Sequence, residues 1–98
     1  MDYKIVWTLR SREDLRNIAA FIGKDNPSAA IKLGDTIFKR VDSLQQFPEL
    51  GRVVPERGRA EIREIVVGNY RIVYRVRHQQ KVVEIWRVWH GARGTPEI

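Results

Sequence analysis

The sequence predicts an α+β fold, a helical hairpin on one face of a mostly antiparallel four-stranded sheet in the order β-α-α-β-β-β, and three observations point to it. The chain has 98 residues, enough for one core with one helical layer over one sheet, so residues 1–98 are expected to form a single domain. Its first half carries two runs with apolar residues three and four apart, the helical period. Its second half carries three β-branched runs separated by turn residues. At 43% hydrophobic and 31% charged, the apolar share is too high for a disordered chain. A large α/β enzyme with helices on both sheet faces does not fit this length.

Tyr3 to Thr8, with its β-branched and aromatic residues, reads as a short first strand. Ser11 then suits a helix N-cap with Glu13 and Asp14 in the first turn, and Leu15, Ile18, Ala19 and Ile22 form one apolar stripe. Asn26-Pro27 ends this helix and caps the next. The second helix is expected from Pro27 to about Gln46, with Ala30, Leu33, Gly34, Ile37, Val41 and Leu44 on one face. Gly34 costs about 1 kcal/mol relative to Ala in mid-helix, which predicts close approach of another backbone there. Residues 48–60 hold two prolines and two glycines and suit an ordered surface loop.

Three strands follow. Glu61 to Val67 is joined by a Gly68-Asn69 hairpin turn to Tyr70 to Arg77, where Tyr70, Ile72, Tyr74 and Val76 alternate with Arg71, Val73, Arg75 and Arg77. One face of that strand is apolar and the other basic. Lys81 to His90 does not alternate cleanly, which predicts an interior strand buried on both faces or interrupted by a bulge. Gly91 to Ile98 reads as a mobile tail.

The chain has no cysteine, which excludes disulfides and thiolate zinc sites, and its two histidines do not stand at metal-ligand spacing with carboxylates. No phosphate-binding glycine loop is present, so neither metal nor cofactor is expected. The opening Met1-Asp2-Tyr3-Lys4 lacks a basic-then-apolar leader, and no stretch approaches the roughly 18 apolar residues of a membrane span. A cytoplasmic protein without a membrane partner is expected.

The net charge of +6 is unevenly spread: eight basic and seven acidic residues lie in positions 1–50, against ten and five in 51–98. Nine of those ten are arginines, whose planar fork grips carboxylate or phosphate. A polyanion or an acidic protein is the expected partner. Arg52, Arg57, Arg59, Arg63, Arg71, Arg75, Arg77 and Arg93 are the candidate contacts, on a surface open to that partner, while Arg71, Arg75 and Arg77 read equally well as the solvated face of a sheet.

Trp7 closing the first strand, Asp14-Leu15 and Ile18, Asn26-Pro27-Ser28-Ala29-Ala30, Phe47-Pro48-Glu49-Leu50-Gly51-Arg52, Tyr70-Arg71-Ile72-Val73-Tyr74 and Val88-Trp89-His90-Gly91-Ala92-Arg93 together resemble the RelE/ParE superfamily of type II toxins. The resemblance spans nearly the whole chain and implies the fold inferred above. It also implies a toxin held inactive in a hetero-oligomer with an acidic, ParD-like antitoxin, through which operator DNA is bound indirectly. The Gly51 to Glu56 loop and His90-Gly91-Ala92-Arg93 look more like the ParE side, whose members inhibit DNA gyrase. The RelE side cleaves messenger RNA on the ribosome.

Metal-free RNA cleavage needs a base for the 2′-hydroxyl, cations for the phosphate and an acid for the leaving oxygen. Under that alternative His90, Arg63 and Arg71 are the catalytic candidates, with Glu49 or Glu56 as base. The tyrosine that follows the histidine in ribonuclease members is Gly91 here. A structural role for His90, hydrogen-bonded to a loop carbonyl, stands beside the catalytic one, and His78 reads as a turn residue. Trp86 and Trp89 are expected in the core. A non-toxic homologue that retains antitoxin binding and autoregulation is the third possibility.

Overall fold

A computed structural model describes residues 2–98. The elements are β1 (Lys4–Trp7), α1 (Leu9–Gly23), α2 (Pro27–Asp42), β2 (Arg52–Val53), β3 (Ile62–Val67), β4 (Tyr70–Arg77) and β5 (Val82–His90). They form a five-stranded sheet in the order β1-β5-β4-β3-β2, antiparallel except for the parallel pair β1–β5. The α+β class and the helical hairpin are as expected, and the sheet gains one strand. Two residues carry no readable period, so β2 escapes sequence analysis. It pairs Arg52 with Glu64 and Val53 with Arg63 on β3.

The helix-facing core joins Ile37, Val41 and Leu44, on and just beyond α2, to Ile65 and Val67 of β3, Ile72, Tyr74 and Val76 of β4, and Val83, Ile85 and Val88 of β5. Leu15, Ile18 and Leu33, partly buried, close it from the hairpin, so the predicted stripes face the core, except that Ala19 is exposed. Burial of such side chains stabilises by roughly 1.5–3 kcal/mol each.

The helix boundaries move where side chains found better partners. Thr8 caps α1 in place of Ser11: its Oγ1 accepts from the Ser11 amide at 3.2 Å and donates to the Ile85 carbonyl at 2.8 Å. Ser11 lies inside the helix, fully buried, and Asp14 is left free for a partner on the sheet. Asn26 caps α2 as expected, accepting from the Ala29 amide at 3.1 Å. The α-helix ends at Asp42, and Ser43–Gln45 tightens to a 3-10 turn. Gly34 meets no approaching backbone, because a Cβ built there has nothing within 4 Å.

Gly68 has φ of 57° and Val67 pairs directly with Tyr70, the geometry of a two-residue hairpin. β5 lies between β1 and β4, and its register on β4 slips so that Val73 faces Arg87 while Tyr74 faces Ile85. Trp86 is the extra residue, and the bulge accounts for the broken alternation. The end of the chain docks on the sheet where a free tail was expected: Gly91–Arg93 forms a 3-10 turn, Pro96 is buried and Ile98 packs on the Val54, Ile62 and Val73 cluster.

Candidate functional site

Directly paired residues of an antiparallel sheet share a face. Tyr70, Ile72, Tyr74 and Val76 turn to the helices, so Arg71, Arg75 and Arg77 of β4 stand on the open face, as the alternation predicts. Their surroundings differ from the prediction. Glu64 of β3 shares that face with its side chain fully buried, and two guanidinium groups enclose it: Arg52 Nε and Arg71 Nε each donate to its carboxylate at 2.6 Å. The remaining two nitrogens of Arg71 fork onto Glu56 at 3.0 and 2.8 Å. This hydrogen bonding holds the Glu56 carboxyl down at about 2 and raises Arg71 further above its usual range.

The chain Arg52–Glu64–Arg71–Glu56 carries equal positive and negative charge, and it ties the 48–60 loop to the sheet. Gly51 sits at the start of that tether. A Cβ there would stand 2.4 Å from the Glu64 carbonyl oxygen, and the buried Tyr74 hydroxyl accepts from the Gly51 amide at 2.9 Å. Burial pushes the Tyr74 phenol up.

Three more of the candidate arginines also hold internal carboxylates. Arg77 pairs with Glu84 at 2.9 Å, Arg59 with Glu61 at 2.6 Å and Arg63 with Glu49 at 3.6 Å. Arg63 further donates to the carbonyls of Ala60 and Gly51, each at 2.9 Å. The other three, Arg57, Arg75 and Arg93, pair with no carboxylate side chain among the described residues. Arg57 donates to the Ile98 backbone oxygen at 3.0 Å, and Arg93 stacks 4.2 Å from the Trp89 ring centroid. Arg75 keeps a buried Nε with no partner. The open basic surface expected from the sequence is therefore corrected to a largely neutralised one.

Sequence reasoning missed a further pair. Arg87 of β5 forks onto Asp14 of α1 at 2.8 and 2.9 Å, and Asp14 Oδ2 also accepts from the Val88 amide at 3.0 Å. Asp14 thereby satisfies the edge of β5 beyond the end of β1. An arginine between Trp86 and Val88 in a mostly apolar strand was the available signal, since burial requires a carboxylate partner.

The three ribonuclease candidates do not converge. Arg63 pairs across the strands with Tyr74 and so stands on the helix-facing side, whereas Arg71 pairs with Val66 on the open face. His90 ends β5 opposite Tyr70, with the two rings edge to face at 5.1 Å. Its Nδ1 accepts from the Ala92 amide at 3.1 Å, so it caps an N–H and not the carbonyl expected. The ring lines a cleft of about 270 Å³ with Asp14, Asn17, Phe21 and Arg93. Glu49 and Glu56, the candidate bases, are engaged by Arg63 and Arg71. His78, read as a turn residue, accepts or donates at 2.7 Å with the Tyr3 hydroxyl. Trp89 is buried, and Trp86 is half-buried on the open face. Among the described residues no group of three or more His, Asp or Glu is placed to hold a metal ion, and no helix is long and apolar enough to cross a membrane.

Residues 5–94 match the family model described as the ParE toxin of the type II toxin-antitoxin system, parDE. The chain belongs to the ParE toxin family. Similar proteins include the putative toxin Y4kP of Sinorhizobium fredii, 37% identical over 97% of this chain and 95% of that protein. Toxin RelE2 of Caulobacter vibrioides is 37% identical over 92% of this chain and 97% of its own length. Among solved structures, the chromosomal ParDE system of P. aeruginosa superposes with a TM-score of 0.74 at 23% identity, covering 90% of this chain and 95% of that one. A mutant of the E. coli toxin RelE in complex with an antitoxin RelBc peptide superposes with a TM-score of 0.69 at 17% identity, covering 100% and 99%. At these identities the superpositions speak for the fold. This ParE-family chain is accordingly a toxin of a type II toxin-antitoxin system, on a sheet whose open face is cross-braced by ion pairs.

Proposed function

We propose that this toxin acts by contact, inhibiting DNA gyrase in the cytoplasm, and that an acidic, ParD-like antitoxin neutralises it in a hetero-oligomer that reaches operator DNA through the antitoxin. One observation carries the preference over ribosome-dependent RNA cleavage. Arg71 stands on the open face while Arg63 and His90 stand on the helix-facing side, Arg63 opposite Tyr74 and His90 opposite Tyr70, and both arginines are already bound to carboxylates. A phosphate in flight between a base and an acid needs cations that converge on it. The structural relatives that are toxin-antitoxin complexes support the antitoxin. Arg57, Arg75 and Arg93 are the cations left for its carboxylates, and charge complementarity of this kind sets on-rate and specificity.

The purified toxin is expected to block gyrase supercoiling in vitro and to leave ribosome-bound message intact. Message cleavage with gyrase untouched rejects the reading in favour of the ribonuclease. Harmless expression without the neighbouring gene points instead to a homologue that keeps only antitoxin binding.

A further inference from the structure

Residues 94–98 fold back over the open face, and they are held in an unusual way. Gly94, at φ of 83°, reverses the chain after the 3-10 turn. Beyond it the segment makes no backbone–backbone hydrogen bond among the described residues. Three side chains from the loop and β5 donate to its carbonyls instead: Trp89 Nε1 to Gly94 at 3.1 Å, Arg87 to Glu97 at 2.7 Å and Arg57 to Ile98 at 3.0 Å. Two side chains anchor it. Pro96 is buried, and Ile98 packs on the small apolar cluster of Val54, Ile62 and Val73 beside Trp86.

We infer that the open face carries an acceptor groove for an extended acidic peptide with a proline two residues before an aliphatic side chain, and that residues 94–98 are its intramolecular occupant. Donors aimed at main-chain carbonyls hold any extended backbone, while sockets for alternate side chains supply selectivity; extended-peptide recognition elsewhere works the same way. The donors are also fixed in advance. Arg87 is braced by its fork to Asp14, and its guanidinium lies 4.9 Å from the Trp89 ring centroid. Charge selects an acidic sequence: Arg57 and Arg75 hold no carboxylate side chain, and Arg75 is the direct cross-strand neighbour of Ile62 in the apolar socket. The bound segment matches this, since Glu97 lies between its two anchors. Beside Ile98 a cleft of about 420 Å³, lined by Thr8, Leu9, Arg10, Trp86 and Arg87, extends the groove. The inference is independent of the cellular target.

A segment tethered by a few residues competes at an effective concentration of about millimolar, so the groove should be masked in the unmodified chain. The test uses the full-length protein and a fluorescein-labelled Gly-Thr-Pro-Glu-Ile peptide, read by anisotropy. Ile98→Asp loosens the intramolecular segment and is expected to bind the peptide at least tenfold more tightly than the unmodified protein does. Adding Arg57→Ala, an exposed substitution that leaves the core alone, should reverse that gain, and a Gly-Thr-Gly-Glu-Ser peptide should bind at least tenfold more weakly. No peptide binding to the folded Ile98→Asp protein, or equal binding of both peptides, overturns the groove. Gyrase inhibition is scored separately, so failure of one proposal is distinguishable from failure of the other.

Discussion

The two faces of the sheet are stabilised by different physics. Under the hairpin, Ile37, Val41 and Leu44 meet Ile72, Tyr74 and Ile85 in a core whose members are fully buried. On the open face a buried glutamate, Glu64, sits between Arg52 and Arg71, and the apolar content shrinks to the cluster around Val73. The first face depends on volume and on area withdrawn from water, which many apolar sequences supply. The second depends on particular pairs in particular geometry, because a buried carboxylate without its partners is strongly penalised. The same arginines that make the chain basic are mostly spent within it.

The largest expected effect lies on the helix-facing side. Ile37→Ala should destabilise by about 4 kcal/mol, the transfer and cavity cost of a fully buried Ile, measured by urea denaturation with unchanged slope. On the open face Glu64→Ala should cost about 3 kcal/mol, since it strands Arg71 with only Glu56 and frees Arg52. A cost near zero would equate that face with an ordinary solvated surface. Tyr74→Phe, which keeps the ring in the core and removes the acceptor of the Gly51 amide, should cost about 1–2 kcal/mol.

The open face also carries a pH-dependent contribution. The Glu56 carboxyl is held at about 2, below the ordinary 4.5, by its fork to Arg71. Its contribution is therefore complete above the unfolded value and is lost as pH falls from about 4.5 towards about 2. Glu56→Gln should flatten the stability profile in that window and leave it unchanged near pH 7 to 8, apart from a constant offset. The smallest effect is a gain. Gly34→Ala should stabilise by about 1 kcal/mol, because the added methyl meets nothing within 4 Å and helix propensity alone decides.

This division also governs how much could be read from the sequence. The stripe from Leu33 to Leu44 and the alternation from Tyr70 to Val76 report burial directly, because the period of an element fixes which side chains share a face. Strand β4 and the Gly68-Asn69 turn were legible to the residue. The partners of Arg71 and Arg87 were not, since Glu64 lies on another strand and Asp14 lies 73 positions away. A mostly apolar strand signals that Arg87 is paired, but nothing local names the carboxylate that either arginine takes. The same limit hid the two-residue β2, the replacement of Ser11 by Thr8 as cap, and the docking of Pro96 and Ile98, each of which depends on a neighbour supplied by the finished sheet. The family resemblance survived these misses because it rested on apolar spacing and turn residues, which the fold preserves.

The proposed action through surface contact needs no proton transfer at the end of β5. His90→Asn tests it most directly: the amide oxygen of the new side chain can still accept from the Ala92 amide, while the imidazole is gone. Growth arrest on expression without the antitoxin should persist at the level of the unmodified chain. Complete loss of arrest, in a variant that remains folded and still binds its antitoxin, would contradict the claim.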